Sequence, residues 1–99
     1  MKLKFIIGES NKTCKCGNWL AHWRKFSGHP LTYCPIDGCR EEIEVGAHVK
    51  KYGTSDGNHY IIPLCKTHCE KSGIIDPPEW VKLVSVDIGE TCGSSLSNL

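Results

Sequence analysis

The stretch YIIPLCKTHCEKSG, residues 60–73, places two cysteines and a histidine directly after an apolar run. Residues 59–65 have the composition of a buried strand, and residues 66–72 are predicted to form a short helix. Cys65 and His68 are three residues apart, so both side chains lie on one face of that helix. The stretch therefore offers a pair of metal ligands at a strand-to-helix junction, with Cys69 as the alternative to His68.

A second pair of ligands lies upstream in the segment CPIDGC. Cys34 and Cys39 bracket proline, aspartate and glycine residues that favour a tight turn. Two such pairs supply three thiolates and one imidazole, which is a donor set typical of structural zinc. The sequence therefore predicts a first zinc site made by Cys34, Cys39, Cys65 and His68.

Cysteine is unusually frequent, with seven cysteines and five histidines in 99 residues. Either the disulfide framework of a secreted protein or metal ligation could explain this number. The apolar run over residues 5–7 is far shorter than a secretory signal requires, and no stretch is long enough to span a membrane. Metal ligation is therefore favoured, and we expect a cytoplasmic protein without a membrane partner.

Three further cysteines lie near the two ends of the chain. Cys14 and Cys16 form a Cys-x-Cys pair, and Cys92 follows the last predicted strand. With His22 as the fourth ligand, or His29 as its alternative, these residues predict a second zinc site that joins the ends. The other interpretation is that the three thiols are free. The protein is thus expected to bind one or two structural zinc ions.

One longer helix is predicted in the first third of the chain. Asn18 can cap a helix over residues 19–26, because its side chain can accept a hydrogen bond from the first helical turn. Within that helix Trp19, Trp23 and Phe26 recur on one face. The rings of Trp19 and Trp23 are expected to cover the core, and stacking on nucleic-acid bases is the alternative.

Strands are predicted at residues 2–7, 41–50, 59–65 and 80–88. Residues 41–50 alternate between apolar and polar side chains, which predicts a half-buried strand that forms a hairpin with residues 59–65. On this alternation His48 points away from the buried face. The chain is therefore predicted to be one α+β domain over residues 1–93, followed by a flexible tail over residues 94–99.

The order of these features resembles the HNH endonuclease superfamily, the ββα-metal version of the treble-clef zinc fold. The resemblance covers roughly residues 32–73 and is carried by Cys34 and Cys39, by His48 in VGAHV, by Asn58 and by the segment PLCKTHC. It implies a small bacterial or phage member of that superfamily. The fold would be a zinc-stabilised HNH-like treble clef, a β-hairpin plus a helix, with an N-terminal helix and a C-terminal strand.

The resemblance also implies where nuclease chemistry would lie. In the superfamily a histidine activates water, and a divalent cation stabilises the charge on the phosphate. His48 matches the position of that general base, and Asn58 is the second candidate catalytic residue. Ala47 stands where many active members carry an acidic metal ligand, and Cys69 stands where they carry a histidine. Both differences favour a scaffold with reduced catalytic power.

Three functions follow from these features. The first is a module that binds DNA, another nucleic acid or a protein partner. The second is a metal-dependent endonuclease, in which His48 is the base and Asp56, Asn58 or His59 would help to hold a further divalent cation. The third is a zinc-stabilised, homo-oligomeric interaction protein.

The net charge of the chain does not distinguish between these functions, but a local cluster of charged side chains would. The net charge of +1, from 12 basic and 11 acidic residues, argues against a protein that coats nucleic acid by bulk charge. Four lysines on the hairpin and the following helix are candidates for a basic rim that binds phosphates: Lys50, Lys51, Lys66 and Lys71. A basic patch near His48 would favour the first two functions, and an acidic residue within its reach would favour cleavage.

Overall fold

The computed structural model describes residues 2–6, 18–69 and 73–86. In chain order the elements are β1 (Leu3–Phe5), α1 (Trp19–Ser27), β2 (Val45–Lys51), β3 (His59–Leu64), α2 (Lys66–Cys69), β4 (Ile74–Ile75) and β5 (Val84–Ser85). The predicted α+β class is confirmed. No helix in this part of the chain has the length and apolar character that crossing a membrane requires. The predicted tail over residues 94–99 lies outside the described residues.

The five strands form one antiparallel sheet in the order β4-β1-β2-β3-β5. Its centre is the β2–β3 hairpin, in which Val45 is opposite Leu64 and Lys50 is opposite His59. The predicted hairpin is therefore confirmed. Strand β1 pairs with β2 on the side away from β3, and Leu3 is opposite Lys51. The N-terminal strand therefore extends the sheet beyond β2.

Strand alternation gives the sheet two differently covered faces. Successive side chains of β2 point to opposite sides, so Ala47 and Val49 are buried on one face together with Leu3, Ile62 and Leu64. This larger core also includes the cysteines at positions 34 and 65. The burial that the sequence predicts for one face of residues 41–50 is thus confirmed, and that face lies against the cysteine-rich segment.

Helix α1 covers the other face, and it begins where the sequence predicts. Asn18 has an extended backbone, and its side chain accepts a hydrogen bond of 2.8 Å from the N–H of Ala21. The helix is followed by Gly28, whose φ of +73° is a conformation that glycine adopts without strain. Trp23 is fully buried, and its indole N–H donates to the carbonyl of Lys82 at 2.8 Å. Phe26, on the same face of the helix, is 37% exposed.

The C-terminal strand predicted over residues 80–88 is wrong in its extent, since within the described residues only Val84–Ser85 is a strand. Trp80 is 52% exposed, and the N–H of Val81 donates to the carbonyl of Pro78 in a turn. Pro77 and Pro78 fix the backbone dihedrals and remove N–H donors, and extended pairing begins only beyond the turn that follows them. Strand β4, at Ile74–Ile75, is too short for its pattern to predict it.

Candidate functional site

The turn that carries the first ligand pair is held by its own backbone. The N–H of Cys39 donates to the carbonyl of Ile36 at 2.9 Å, and the N–H of Cys34 donates to the carbonyl of Glu41 at 2.8 Å. Gly38 has φ of +79°, which lies in the left-handed region that favours glycine. The turn brings the sulfurs of Cys34 and Cys39 within 4.8 Å of each other.

The second ligand pair lies at the end of the central hairpin. Cys65 follows the last residue of β3 and is 1% exposed, while His68 lies in the single turn of α2. The N–H of Cys69 donates to the carbonyl of Cys65 at 3.0 Å, which closes that turn. As a result, Nδ1 of His68 lies 3.2 Å from Sγ of Cys65, and the backbone N–H of His68 faces the same sulfur at 3.4 Å.

The four side chains form one group whose donor atoms all lie within 4.8 Å of one another. The Cys39 and Cys65 sulfurs are 3.8 Å apart, and Cys34 Sγ is 3.6 Å from His68 Nδ1. A tetrahedral site with ordinary zinc bond lengths has edges of about 3.8 Å between two sulfurs and about 3.6 Å between sulfur and nitrogen, which these two distances match. The 3.2 Å between Cys65 Sγ and His68 Nδ1 is shorter than such an edge. Cys34, Cys39, Cys65 and His68 could therefore hold a metal ion, and the site fits zinc.

Burial disfavours negative charge on the Cys34 sulfur and so favours its protonated thiol form. Burial raises the pKa of the Cys34 thiol from its ordinary value of 9.0 to about 11, and the backbone N–H groups of Cys65 and Ile36 offset part of that rise. A buried thiolate needs a cation, which a divalent metal would supply on displacing the thiol protons.

Cys69 does not belong to the group. It is half-buried and packs against the larger core beside the metal ligands, but of the described residues only the other four form a cluster of three or more potential ligands. The choice of His68 over Cys69 thus has a geometric basis: Nδ1 of His68 points back at the sulfurs of Cys34 and Cys65.

The second predicted zinc site stays a prediction, because Cys14, Cys16 and Cys92 lie outside the described residues. Its histidine, His22, is fully buried on α1, and Nε2 donates to the carbonyl of Ser85 at 2.8 Å. The alternative ligand, His29, is half-buried with its ring 6.3 Å from that of Trp23.

Basic side chains lie close together at the loop end of the β2–β3 hairpin. Lys4 is opposite Lys50 across β1 and β2, and Lys50 is opposite His59 across β2 and β3. Directly opposed residues point to the same face of a sheet, so these three side chains form a row, here called the basic row. The basic row lines a cleft of about 270 Å³, whose other lining residues are Lys51, Tyr52, Gly53, Thr54, Asp56 and Gly57.

The basic row leaves positive charge in the cleft. Like charges on opposed residues of a sheet normally destabilise it. Over the described parts of the chain, Lys4 and Lys50 form no ion pair, whereas Lys51 lies 3.6 Å from a carboxylate oxygen of Asp56. Of the predicted basic rim, Lys50 and Lys51 thus reach the cleft, Lys66 is exposed on α2 without lining it, and Lys71 lies outside the described residues.

Asp56 is the acidic residue of the cleft, and its carboxylate is bound within the loop. It accepts hydrogen bonds from the backbone N–H of Asn58 at 2.8 Å and from the Tyr60 hydroxyl at 2.7 Å. The Asn58 N–H, the Tyr60 hydroxyl and Lys51 hold the pKa of this carboxyl below its ordinary value, so it is ionised at neutral pH. Asn58 itself is exposed on the loop, and its described role is this backbone contact.

His48 points away from the core face of β2, as its position in the alternation predicts. It is half-buried, and its ring lies 6.1 Å from that of Trp19 on α1. Nε2 of His48 is 3.0 Å from Nδ1 of His59, which joins His48 to the end of the basic row. Ala47, by contrast, is 2% exposed on the opposite face, so residues 47 and 48 do not share an environment.

Sequence reasoning missed Lys4 as a residue of the cleft. Lys4 reaches Lys50 only because β1 pairs with β2, and these strands are more than 40 positions apart along the chain. The one local signal is the alternation in residues 2–5, where the lysines and the apolar residues occupy opposite faces of a short strand.

Known proteins do not identify this chain. Comparisons with protein-family models, with curated proteins and with solved structures found no match. What the protein does must therefore follow from the chemistry of its own residues.

Proposed function

We propose that this protein is a zinc-stabilised, HNH-like module that binds the phosphate backbone of a nucleic acid in the cleft lined by the basic row. The observation that carries the proposal is the alignment of Lys4, Lys50 and His59 on one face of three neighbouring strands. The resemblance of residues 32–73 to the HNH superfamily supports the same function, because its members act on nucleic acids.

The metal centre has a structural role in this proposal. Its four donors come from the protein, so a tetrahedral zinc ion would have no open position for water or substrate. Cys34 and Cys65 are also buried among the side chains of the larger core. Zinc would therefore fasten the CPIDGC turn to the end of the central hairpin, and binding would take place elsewhere.

The basic row suits a phosphodiester backbone. Lysine side chains bind phosphates as mobile point charges, and such contacts position a protein on nucleic acid without reading its sequence. A bound phosphate would also relieve the repulsion between the opposed lysines. Two lysines and one histidine form a local patch, which is compatible with a chain whose total charge is near zero.

Neutralising one lysine of the row is expected to weaken nucleic-acid binding and to flatten its salt dependence. Lys4→Gln and Lys50→Gln should each lower the affinity for a labelled oligonucleotide about tenfold at low salt, with the slope of log K against log salt reduced by about one. Fluorescence anisotropy between about 50 and 200 mM salt measures both quantities. Zinc content and far-UV circular dichroism of each variant check that it is folded.

Lys66→Gln is the matched control, because Lys66 is exposed and does not line the cleft. Its affinity and salt slope should equal those of the unmodified protein. Equal losses in all three variants would mean that the contacts are general surface charge, and unchanged slopes in Lys4→Gln and Lys50→Gln would refute the proposed site.

A metal-dependent endonuclease is the second candidate, favoured by the contact of His48 with His59 at the edge of the cleft. Two features favour binding over cleavage: the carboxylate of Asp56 is bound within the loop, and Ala47 faces the core. Nicking of supercoiled plasmid with Mg²⁺, Mn²⁺ or Ni²⁺ distinguishes the two candidates. Activity that disappears in a zinc-loaded His48→Ala variant would establish cleavage. The homo-oligomeric alternative stays a prediction.

A further inference from the structure

We infer that His48 and His59 form a binding site for one divalent transition-metal ion, separate from the cysteine-rich centre. The ion would be one that prefers imidazole nitrogen and right-angled ligands, such as Cu²⁺ or Ni²⁺. The inference stands on the geometry of the two rings and does not require that the cleft binds nucleic acid.

The separation of the two nitrogens fits chelation. Nε2 of His48 and Nδ1 of His59 are 3.0 Å apart. Two nitrogens that bind one metal ion at about 2.1 Å, at right angles to each other, are separated by about 3.0 Å. Right-angled neighbours occur in the square-planar and octahedral geometries that Cu²⁺ and Ni²⁺ prefer, whereas a tetrahedral ion would need the nitrogens about 0.4 Å further apart.

The sheet holds the two rings in place before any ion binds. His48 is opposite Ile61 and His59 is opposite Lys50, so the histidines are diagonal neighbours on one face of the central hairpin. Their ring centroids are 4.9 Å apart with an angle of 71° between the planes, and Trp19 stands behind His48 on α1. His59 lines the cleft, which gives an ion a path from solvent.

A metal ion would replace the proton that the two rings share. A hydrogen bond between neutral imidazoles uses one N–H and one lone pair, whereas an ion uses both lone pairs. Ion binding therefore competes with protonation of the rings and should strengthen as the pH rises. Mg²⁺ and Ca²⁺ are poor candidates, because they prefer oxygen ligands.

Among the described residues, the charged and titratable groups around the pair come from four elements. Lys4 on β1 and Lys50 on β2 oppose a cation, while the ionised Asp56 in the loop lines the same cleft and pairs with Lys51. On α1, His22 directs its Nε2 to the carbonyl of Ser85. Because two lysines face the cleft, an anion such as phosphate that fills the open positions of the ion should raise its affinity.

The test is a calorimetric titration of Ni²⁺ into tag-free, zinc-loaded protein at about pH 7.5, above the ordinary imidazole pKa. The unmodified protein should bind one Ni²⁺ per chain in addition to zinc. His48→Ala and His59→Ala should each lower that affinity at least tenfold. Tyr33→Ala is the matched control, because it removes an exposed aromatic ring that does not line the cleft, and it should bind Ni²⁺ as the unmodified protein does.

Spectroscopy separates imidazole from thiol binding. With one equivalent of Cu²⁺, the electron paramagnetic resonance spectrum should show coupling to two imidazole nitrogens in the unmodified protein and to fewer in either variant. Equal Ni²⁺ affinity in all four proteins, or a sulfur-to-metal charge-transfer band that survives both histidine variants, would overturn the site. If His48→Ala fails to fold, His59→Ala carries the test, because His59 lies at the solvent-facing start of β3.

The outcome is independent of the proposed function. The Ni²⁺ titration contains no nucleic acid, and the lysine variants are measured without added Ni²⁺. If the protein binds Ni²⁺ through its histidines but does not bind oligonucleotides, the metal site is supported and the proposed function is refuted. If it binds oligonucleotides but not Ni²⁺, the proposed function is supported and the metal site is refuted.

Discussion

Replacing Cys65 by alanine is expected to remove the metal ion and most of the stability of the protein. Cys65 is 1% exposed, and its sulfur lies 3.8 Å from that of Cys39 and 3.2 Å from Nδ1 of His68. Structural zinc contributes about 10–16 kcal/mol of apparent binding free energy in zinc-finger peptides, and domains are stable by only about 5–15 kcal/mol. Zinc analysis and urea denaturation should show loss of the ion and a fall of several kcal/mol in the free energy of unfolding.

Cys69→Ala and His68→Ala form the matched pair of controls. Cys69 packs beside the ligands without belonging to their group, so Cys69→Ala should keep its zinc and most of its stability. His68→Ala should bind zinc more weakly. If Cys69→Ala loses zinc while His68→Ala keeps it, Cys69 is the fourth ligand. Native protein with less than one zinc per chain and with disulfides instead would contradict the metal centre itself.

Gly46→Ala is expected to destabilise the contact between helix α1 and the sheet. A Cβ atom on Gly46 would lie 2.6 Å from the backbone carbonyl carbon of Trp19 and 2.6 Å from the backbone nitrogen of Leu20. Because both neighbours are backbone atoms, no side-chain rotation can make room, and the helix must shift. Overpacking of this kind costs about 1–3 kcal/mol and sometimes more. Urea denaturation with circular dichroism measures the change in the free energy of unfolding.

Gly57→Ala is the control for that substitution. Gly57 lies in the loop of the same hairpin, and a Cβ atom there would meet nothing within 4 Å. The free energy of unfolding of the Gly57→Ala variant should differ from that of the unmodified protein by less than about 0.5 kcal/mol, as for most exposed positions. Equal effects of the two substitutions would mean that the close approach of α1 to Gly46 does not limit the stability of the fold.

Features set by neighbouring residues could be predicted from the sequence. The cap at Asn18 and the glycine after the helix delimit α1 to within one residue, because both act through local backbone hydrogen bonds. The alternation in residues 41–50 predicts which side of β2 is buried. The Cys-x-x-His spacing likewise predicts that the side chains of Cys65 and His68 approach each other. Their meeting with Cys34 and Cys39, by contrast, depends on the tertiary fold.

Features set by distant pairing could not be predicted. A strand was predicted where β1 lies, but no local signal shows which strand it pairs with, so the meeting of Lys4 with Lys50 was not predictable. Strand β4 has too few residues for a pattern. The contact of His48 with His59 depends on the register of the hairpin, which the length of its loop and the burial of one face decide together. Gly46 carries no local sign that a helix backbone lies against it.

The alternation of β2 also limits how this chain can change in length. Ala47 and Val49 belong to the core beside the cysteines, while Gly46, His48 and Lys50 belong to the opposite face. One residue inserted into β2 would exchange these faces, placing an imidazole and an ammonium group in the core and a side chain against α1. Insertions and deletions are therefore tolerable in the loop over residues 52–58 and not in the strand, so relatives of this protein should differ in hairpin length only there.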